Sequence, residues 1–206
     1  PKELLPWGRK PLLEHLWTEM WEAGIRKFVI VLRPGKEIIR QHLEAAGLEA
    51  VYVEQKEPRG QADALRCARY EVDGPFVMGL PDQQLPTGVS QLLAHYNGQN
   101  SLSSMVEVSR PEFFPGASAF LHEGDGPCYR MTGIGKEEGP LRGFGRTVYT
   151  REFLDFIPEE TNDSSFGPLF LEWLEIGRHE VVILEGEPAD LGTLDGYVHY
   201  QKHPPG

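Results

Sequence analysis

Apolar and polar positions along the chain follow two periods, and the switches between them mark out successive elements. In "KPLLEHLWTEMWEAG", Leu12, Leu16, Met20 and Ala23 recur at helical spacing, and Gly24 supplies a stop. "KFVIVL", residues 27–32, is a short continuous apolar run closed by "RPG", which predicts a buried strand. "KEIIRQHLEAAG" predicts a second helix ending at Gly47, and "AVYVEQ" a second strand. "QADALRCARYEV" and "GVSQLLAHYNGQ" read as further helices, with "PFVMGL" and "LSSMVEVS" as the strands that follow the third and fourth helices. Strands alternating with helices in this way predict an α/β fold built on a doubly wound, mostly parallel (Rossmann-like) sheet.

After residue 110 the rhythm changes. "GASAFLHEGDGPCYRMTGIGKEEGP" predicts a β-ribbon turning at "EGDG". "GRTVYTREFLDFI" reads as a strand running into a short helix, and "SFGPLFLEWLEIGRHEVVILEGEPADLGTLDGY" as a helix, a strand and an irregular stretch. No internal repeat, low-complexity tract or linker interrupts the chain. It is expected to be one domain with a first half at 1–110 and a second at 111–206.

Composition narrows the function. The 206 residues are 40% hydrophobic and 25% charged, enough to bury a core and typical of globular proteins. No apolar run approaches the length of a membrane span, and no signal-peptide pattern is present, so no membrane partner is expected. A net charge of −11 argues against a nucleic-acid surface, which needs dense Lys and Arg. A small phosphorylated ligand held by a few local cations remains compatible with it. Cys67 and Cys128 stand far apart with no zinc-ligand spacing, which fits a reducing, cytoplasmic compartment.

Candidate chemistry lies at strand ends. In "FVMGLPDQQLP", residues 76–86, a strand runs into Pro81 and Asp82. Pro-Asp is common turn chemistry, but open α/β sheets also place ligands beyond the carboxyl ends of their strands. Asp190, after "VVILEGEPA", has the same setting. Two such carboxylates can converge on one Mg²⁺, which favours oxygen ligands and keeps several waters; the alternative is a pair of turn residues. In "VEQKEPRGQADA", Gln55 ends a strand and Gly60 precedes a helix, where backbone N–H groups can approach a ligand closely. The Gln55 amide could read a base with a paired donor and acceptor. Lys2 and Lys136 are candidate cations, though solvated lysines are the usual reading. The seven histidines show no ligand spacing, and the chain lacks G-x-S-x-G, P-loop and G-x-G-x-x-G patterns.

The order of the motifs adds a family. "PKELLPWGRKPLLEHLWTEMWEAGIRKFVIVLRPGKEIIRQHL", "YVEQKEPRGQADALRCA", "FVMGLPDQQLP" and "DLGTLDGY" resemble, in sequence, the sugar-phosphate nucleotidyltransferases, especially the UDP-glucose pyrophosphorylase and glucose-1-phosphate thymidylyltransferase group. The likeness covers nearly the whole chain and thins between residues 110 and 180. It implies Mg²⁺-dependent transfer of a nucleotidyl group from UTP or dTTP to a sugar 1-phosphate, with glucose 1-phosphate favoured. Residue by residue, it implies that Lys2 contacts phosphates and that Gln55 and Gly60 recognise a pyrimidine base. Asp82 and Asp190 would hold Mg²⁺, and Lys136 would meet the sugar phosphate. Gly116 and Gly145 would line the sugar pocket in the β-ribbon half. A homo-oligomer is compatible with the resemblance.

Some positions depart from the pattern. The family's glycine-rich loop, which wraps the triphosphate, lies just upstream of the Pro-Lys pair with which this sequence starts, so the 206-residue chain is expected to be nearly inactive without it. Gly135 stands where a glutamate usually precedes the sugar-phosphate lysine, and Ala189 where an aromatic commonly precedes the second aspartate. "PDQQ" carries amides where a second acid is frequent. A non-catalytic nucleotide-sugar-binding relative is therefore the alternative to an enzyme. A glycosyltransferase would want Asp-x-Asp, which the chain does not contain.

Overall fold

A computed structural model describes residues 1–114, 119–135, 139–160 and 166–204. The chain opens with a 3-10 turn, Lys2–Leu4, and two short antiparallel strands, β1 (Pro6–Trp7) and β2 (Lys10–Pro11). Helix α1 (Leu12–Glu22) buries Leu12, Leu13, Leu16, Trp17 and Met20, as its apolar spacing dictates. Strand β3 (Val29–Leu32), helix α2 (Glu37–Ala45) and strand β4 (Val51–Glu54) then form a compact βαβ unit whose strands pair in parallel. Helix α3 (Gly60–Ala68) continues as a 3-10 turn through Glu71, so the third predicted helix is two pieces. β5 (Phe76–Gly79), β6 (Gln83–Gln84), α4 (Gly88–His95) and β7 (Ser101–Glu107) complete the first half.

The second half adds β8 (Ala119–Glu123) and β9 (Cys128–Gly135), the two arms of the expected ribbon, which pair antiparallel. β10 (Leu141–Tyr149), α5 (Arg151–Phe156), α6 (Phe166–Glu175), β11 (His179–Leu184), β12 (Ala189–Asp190) and α7 (Leu194–Lys202) follow. The main sheet has the order β5-β10-β7-β11-β9-β8 and is mixed. β7 and β11 run parallel, while β10 enters antiparallel between β5 and β7. The α/β class and strand–helix alternation are those expected, and the mixing comes from the second half, which folds back into the sheet. The ribbon itself is continuous with that sheet, because β9 pairs with β11.

Apolar side chains collect in clusters on the sheet faces. One, around Phe144, Val148 and Val182, lies beneath α4 and α7; another, around Phe153, Phe170 and Trp173, lies beneath α5 and α6. Helix α7 follows directly on the irregular Asp-Leu-Gly-Thr stretch and is not among the elements the sequence predicts. The Thr193 hydroxyl caps it by accepting from the Gly196 N–H at 3.1 Å. No helix among the described residues is long and apolar enough to cross a membrane.

Candidate active site

The turn after β5 carries Asp82 between Gly79 and β6, and β6 pairs antiparallel with β12, setting Gln83 opposite Asp190. The backbone locks this arrangement: the Leu191 N–H donates to the Asp82 carbonyl at 2.7 Å. A two-residue strand pair is thus what brings together carboxylates 108 positions apart in number, since 190 less 82 is 108. Gly192 sits between them. A Cβ added there would lie 2.9 Å from Asp82 Oδ2 and 3.0 Å from Asp190 Oδ1. The glycine leaves a small cradle edged by two carboxylates.

The two acids differ in setting. The Asp82 side chain is 16% exposed and accepts from Lys2 Nζ at 2.5 Å. Asp190 is 7% exposed; its Oδ1 accepts from the Gly192 N–H at 2.8 Å and its Oδ2 from Gln83 Nε2 at 3.1 Å. Burial pushes the Asp190 carboxyl above its usual range, and the nearby Asp82 charge pushes the same way against those two hydrogen bonds and Lys2. The Lys2 amine is held above its ordinary value: burial pulls it down, but the hydrogen bond and charge of Asp82 outweigh that, helped by Glu3 and Asp190.

Sequence reasoning missed the supports of this turn. Arg146, fully buried on β10, donates to the carbonyls of Leu80 (2.9 Å), Gln83 (2.8 Å) and Gly145 (3.0 Å). Its guanidinium also pairs with Glu19 of α1 at 2.7 Å, and Glu19 accepts the Val89 N–H at 2.8 Å. Gln83 joins both sides of the site, donating to Asp190 and accepting from the Gly145 N–H at 2.6 Å. The one sequence signal was a charged residue inside an otherwise strand-like run, "GFGRTVY".

The other candidates are placed as follows. Gln55 follows β4 and is buried; its Nε2 donates to the Gly60 carbonyl at 3.0 Å and to Asp63 Oδ2 at 2.9 Å. Both amide hydrogens are thereby engaged within the protein, leaving Oε1 as the acceptor for anything outside. Gly60 opens α3 at φ +80°, a left-handed conformation that glycine adopts without strain. Gly145 lies within β10 beside a register shift, and a Cβ there would meet Leu80 Cβ at 2.8 Å and Gln83 Oε1 at 2.9 Å. Its bareness lets the Asp82 turn approach β10. Lys136 and Gly116 lie outside the described residues.

Among the described residues no group of three or more His, Cys, Asp or Glu side chains gathers as a metal cage. Two carboxylates on an open cradle instead fit a hard cation that keeps most of its water, as Mg²⁺ does.

Residues 1–112 match the profile of the Nucleotidyl transferase family. The chain belongs to that family. Among curated relatives, the UTP–glucose-1-phosphate uridylyltransferase of Bacillus subtilis (strain 168) is 29% identical over 96% of this chain and 81% of its own length. The enzyme of the same name from Klebsiella pneumoniae is 28% identical over 96% of this chain and 83% of its own. A crystal structure of a UDP-glucose pyrophosphorylase complexed with UDP-glucose superimposes with a TM-score of 0.82 at 20% identity, covering 98% of this chain and 89% of that one. As the ordered motifs implied, this is a sugar-phosphate nucleotidyltransferase, and the nucleotidyltransferase fold extends across the second half as well.

Proposed function

We propose that the protein transfers the nucleotidyl group of UTP or dTTP to glucose 1-phosphate in a Mg²⁺-dependent reaction, releasing pyrophosphate and a nucleotide sugar. The observation that supports this most is the pair Asp82 and Asp190 facing one another over Gly192, with Lys2 alongside. The sugar-phosphate oxygen attacks the α-phosphorus in line and pyrophosphate leaves. Such transfers need positioning and charge neutralisation rather than a protein nucleophile. Asp82 and Asp190 would hold Mg²⁺, which when bound supplies neutralisation of the charge that grows on the phosphates.

The chain's own residues do the rest. Lys2, whose amine lies 2.5 Å from Asp82, would meet the triphosphate. Lys136 meets the sugar phosphate, and Gly116 and Gly145 belong to the sugar-facing half, 111–206. Gln55, with both amide hydrogens engaged, presents Oε1 to the N3–H of uracil or thymine, beside Gly60. Cytosine and adenine offer an acceptor there, which leaves two acceptors opposed. The relatives' uridylyltransferase names and the UDP-glucose complex of the structural neighbour fit this choice of substrates. A reducing cytoplasm is the compartment such substrates imply.

The test is a pyrophosphate-release assay on the full-length natural protein with each nucleoside triphosphate against a panel of sugar 1-phosphates. UTP or dTTP with glucose 1-phosphate should give the highest kcat/KM, with CTP and ATP at least about tenfold lower. Equal or faster release from ATP would remove Gln55 and Gly60 from base recognition.

A further inference from the structure

In "VEQKEPRGQADALRCA", Gln55 follows β4, Asp63 falls in the first turn of α3, and Arg66 comes three residues later. Residues three apart on a helix are neighbours on its surface, so an acid and a base at that spacing can pair. Here they do. Arg66 Nη2 donates to Asp63 Oδ1 at 2.7 Å, and Arg66 Nε donates to the same oxygen at 3.2 Å. Asp63 is 4% exposed, and a carboxylate so buried needs an opposite charge and hydrogen bonds. Arg66 supplies both.

The other oxygen of Asp63 turns to Gln55. The Gln55 backbone is held in place, because its N–H donates to the Leu32 carbonyl at 2.8 Å and so continues the β3–β4 pairing past the end of β4. The residue is 5% exposed, and its Nε2 lies between the Gly60 carbonyl at 3.0 Å and Asp63 Oδ2 at 2.9 Å. A carbonyl and a carboxylate have no hydrogen to give, so only the NH₂ end of the amide can stand between them. Turning the amide over would set its oxygen against two acceptors in a buried place, with nothing to satisfy it. The direction of Gln55 is thus dictated by its neighbours before any ligand arrives. Gly60 contributes a backbone group, available whatever the side chain. Asp63 contributes a side chain, and a charged acceptor holds an N–H more firmly than a neutral one. Gln55 also lines the same cavity as Lys2 and Asp82, so its direction bears on whatever lies beside the acids.

We infer that Asp63, braced by Arg66, is a specificity-determining residue that acts through Gln55 and sets which base the site accepts without touching the nucleotide. The inference rests on the proposed reading of Gln55 as the group that meets N3 of the base. Uracil and thymine carry a hydrogen on N3, which the outward Oε1 can accept. Cytosine carries none there, and Gln55 could offer it Nε2 only by turning its oxygen onto Asp63 and Gly60. Rejection of cytosine therefore comes from what stands behind Gln55. Arg66 adds a second condition. A guanidinium only donates, so whatever side chain replaces Asp63 must give it an oxygen. An asparagine would do so and would then present its own NH₂ to Gln55, donor against donor. That reverses the direction in which the Gln55 amide is pulled.

The test compares the full-length natural protein with Asp63→Asn and with the double variant Asp63→Asn, Arg66→Gln. Pyrophosphate release is measured from UTP and from CTP at saturating glucose 1-phosphate. Exchange of the Gln55 side-chain amide hydrogens is followed by NMR in the nucleotide-free 206-residue chain and in the same two variants of it. Asp63→Asn should lower the UTP-to-CTP ratio of kcat/KM by at least about tenfold and speed that exchange by at least about tenfold. In the double variant the amide at 66 can accept as well as donate. The asparagine can then turn its oxygen back to Gln55, and most of the ratio and of the protection should return. A merely structural role would lower Tm and turnover for both nucleotides alike, and the second substitution would not mend it. A parent that prefers UTP with an Asp63→Asn variant that keeps the ratio overturns the inference and leaves the base reading standing. So does a ratio that falls while the Gln55 amide exchanges as before. A parent that accepts CTP as readily as UTP removes the base reading, and this inference with it.

Discussion

Gly192 leaves space beside the two acids by what it lacks. A methyl group at that position would sit within 3.0 Å of both carboxylates and fill the cradle. Gly192→Ala should therefore weaken Mn²⁺ binding, followed by electron paramagnetic resonance, by about 10-fold or more. Unchanged affinity would place the ion elsewhere. Asp190 makes a second prediction, through pH. Its folded pKa is raised, so the stability it contributes is full below the ordinary 3.8 and is lost as pH rises through the folded value. Asp190→Asn removes that loss, so the Tm of the variant relative to the parent should climb between pH 3 and pH 7. A difference that is flat or falls with pH would contradict the burial of this carboxylate. Spacing alone left both acids open between turn residues and metal ligands. The resemblance of their short ordered motifs singled them out, and the structure brings them together across the β6–β12 pair. Gln83 was not singled out: its amide looked like a departure from an acid, and its use appears only when β6 and β12 meet.

At the scale of elements, the site hangs on how the β5–β6 turn is clamped between α1 and β10. The buried Glu19–Arg146 pair joins residues 127 positions apart, which no local pattern announces. Removing one partner leaves an uncompensated buried charge, so Arg146→Met should cost ~3–5 kcal/mol, read as a drop in Tm. Adding Glu19→Leu should recover part of that stability. It should not recover turnover, because the three carbonyls that Arg146 gathers stay unanchored. A fully additive double variant would show that the pair is not the clamp. Most elements were legible from periodicity, and the β-ribbon from its Gly/Asp turn. Helix α7 was not, because "GTLDGYVHYQK" contains two glycines and little amphipathic contrast. The mixed sheet was equally hidden, since a strand's period says nothing of the direction in which β10 returns.

For the molecule as a whole, acid stability has an identifiable source in the core beneath α6. Burial pushes His179 down to about 3, while its Nε2 engages the Ser103 hydroxyl at 2.8 Å. A depressed folded pKa means that its contribution is complete above 6.5 and is lost as pH falls from there toward 3. His179→Gln should flatten the fall of Tm across that window, and an unaltered slope would show that His179 does not drive it. The central claim, that Asp82 and Asp190 act on one ion in nucleotidyl transfer, needs the reaction itself. Pyrophosphate release from UTP and glucose 1-phosphate, with Mg²⁺ titrated, should be measured for the full-length natural protein, Asp82→Asn, Asp190→Asn and the double variant. Each single variant should lose about 10²–10³ in kcat with its fold intact, and the double should be little worse than either. Normal turnover in both single variants, or a double variant showing the full product of two independent losses, would contradict a shared metal site.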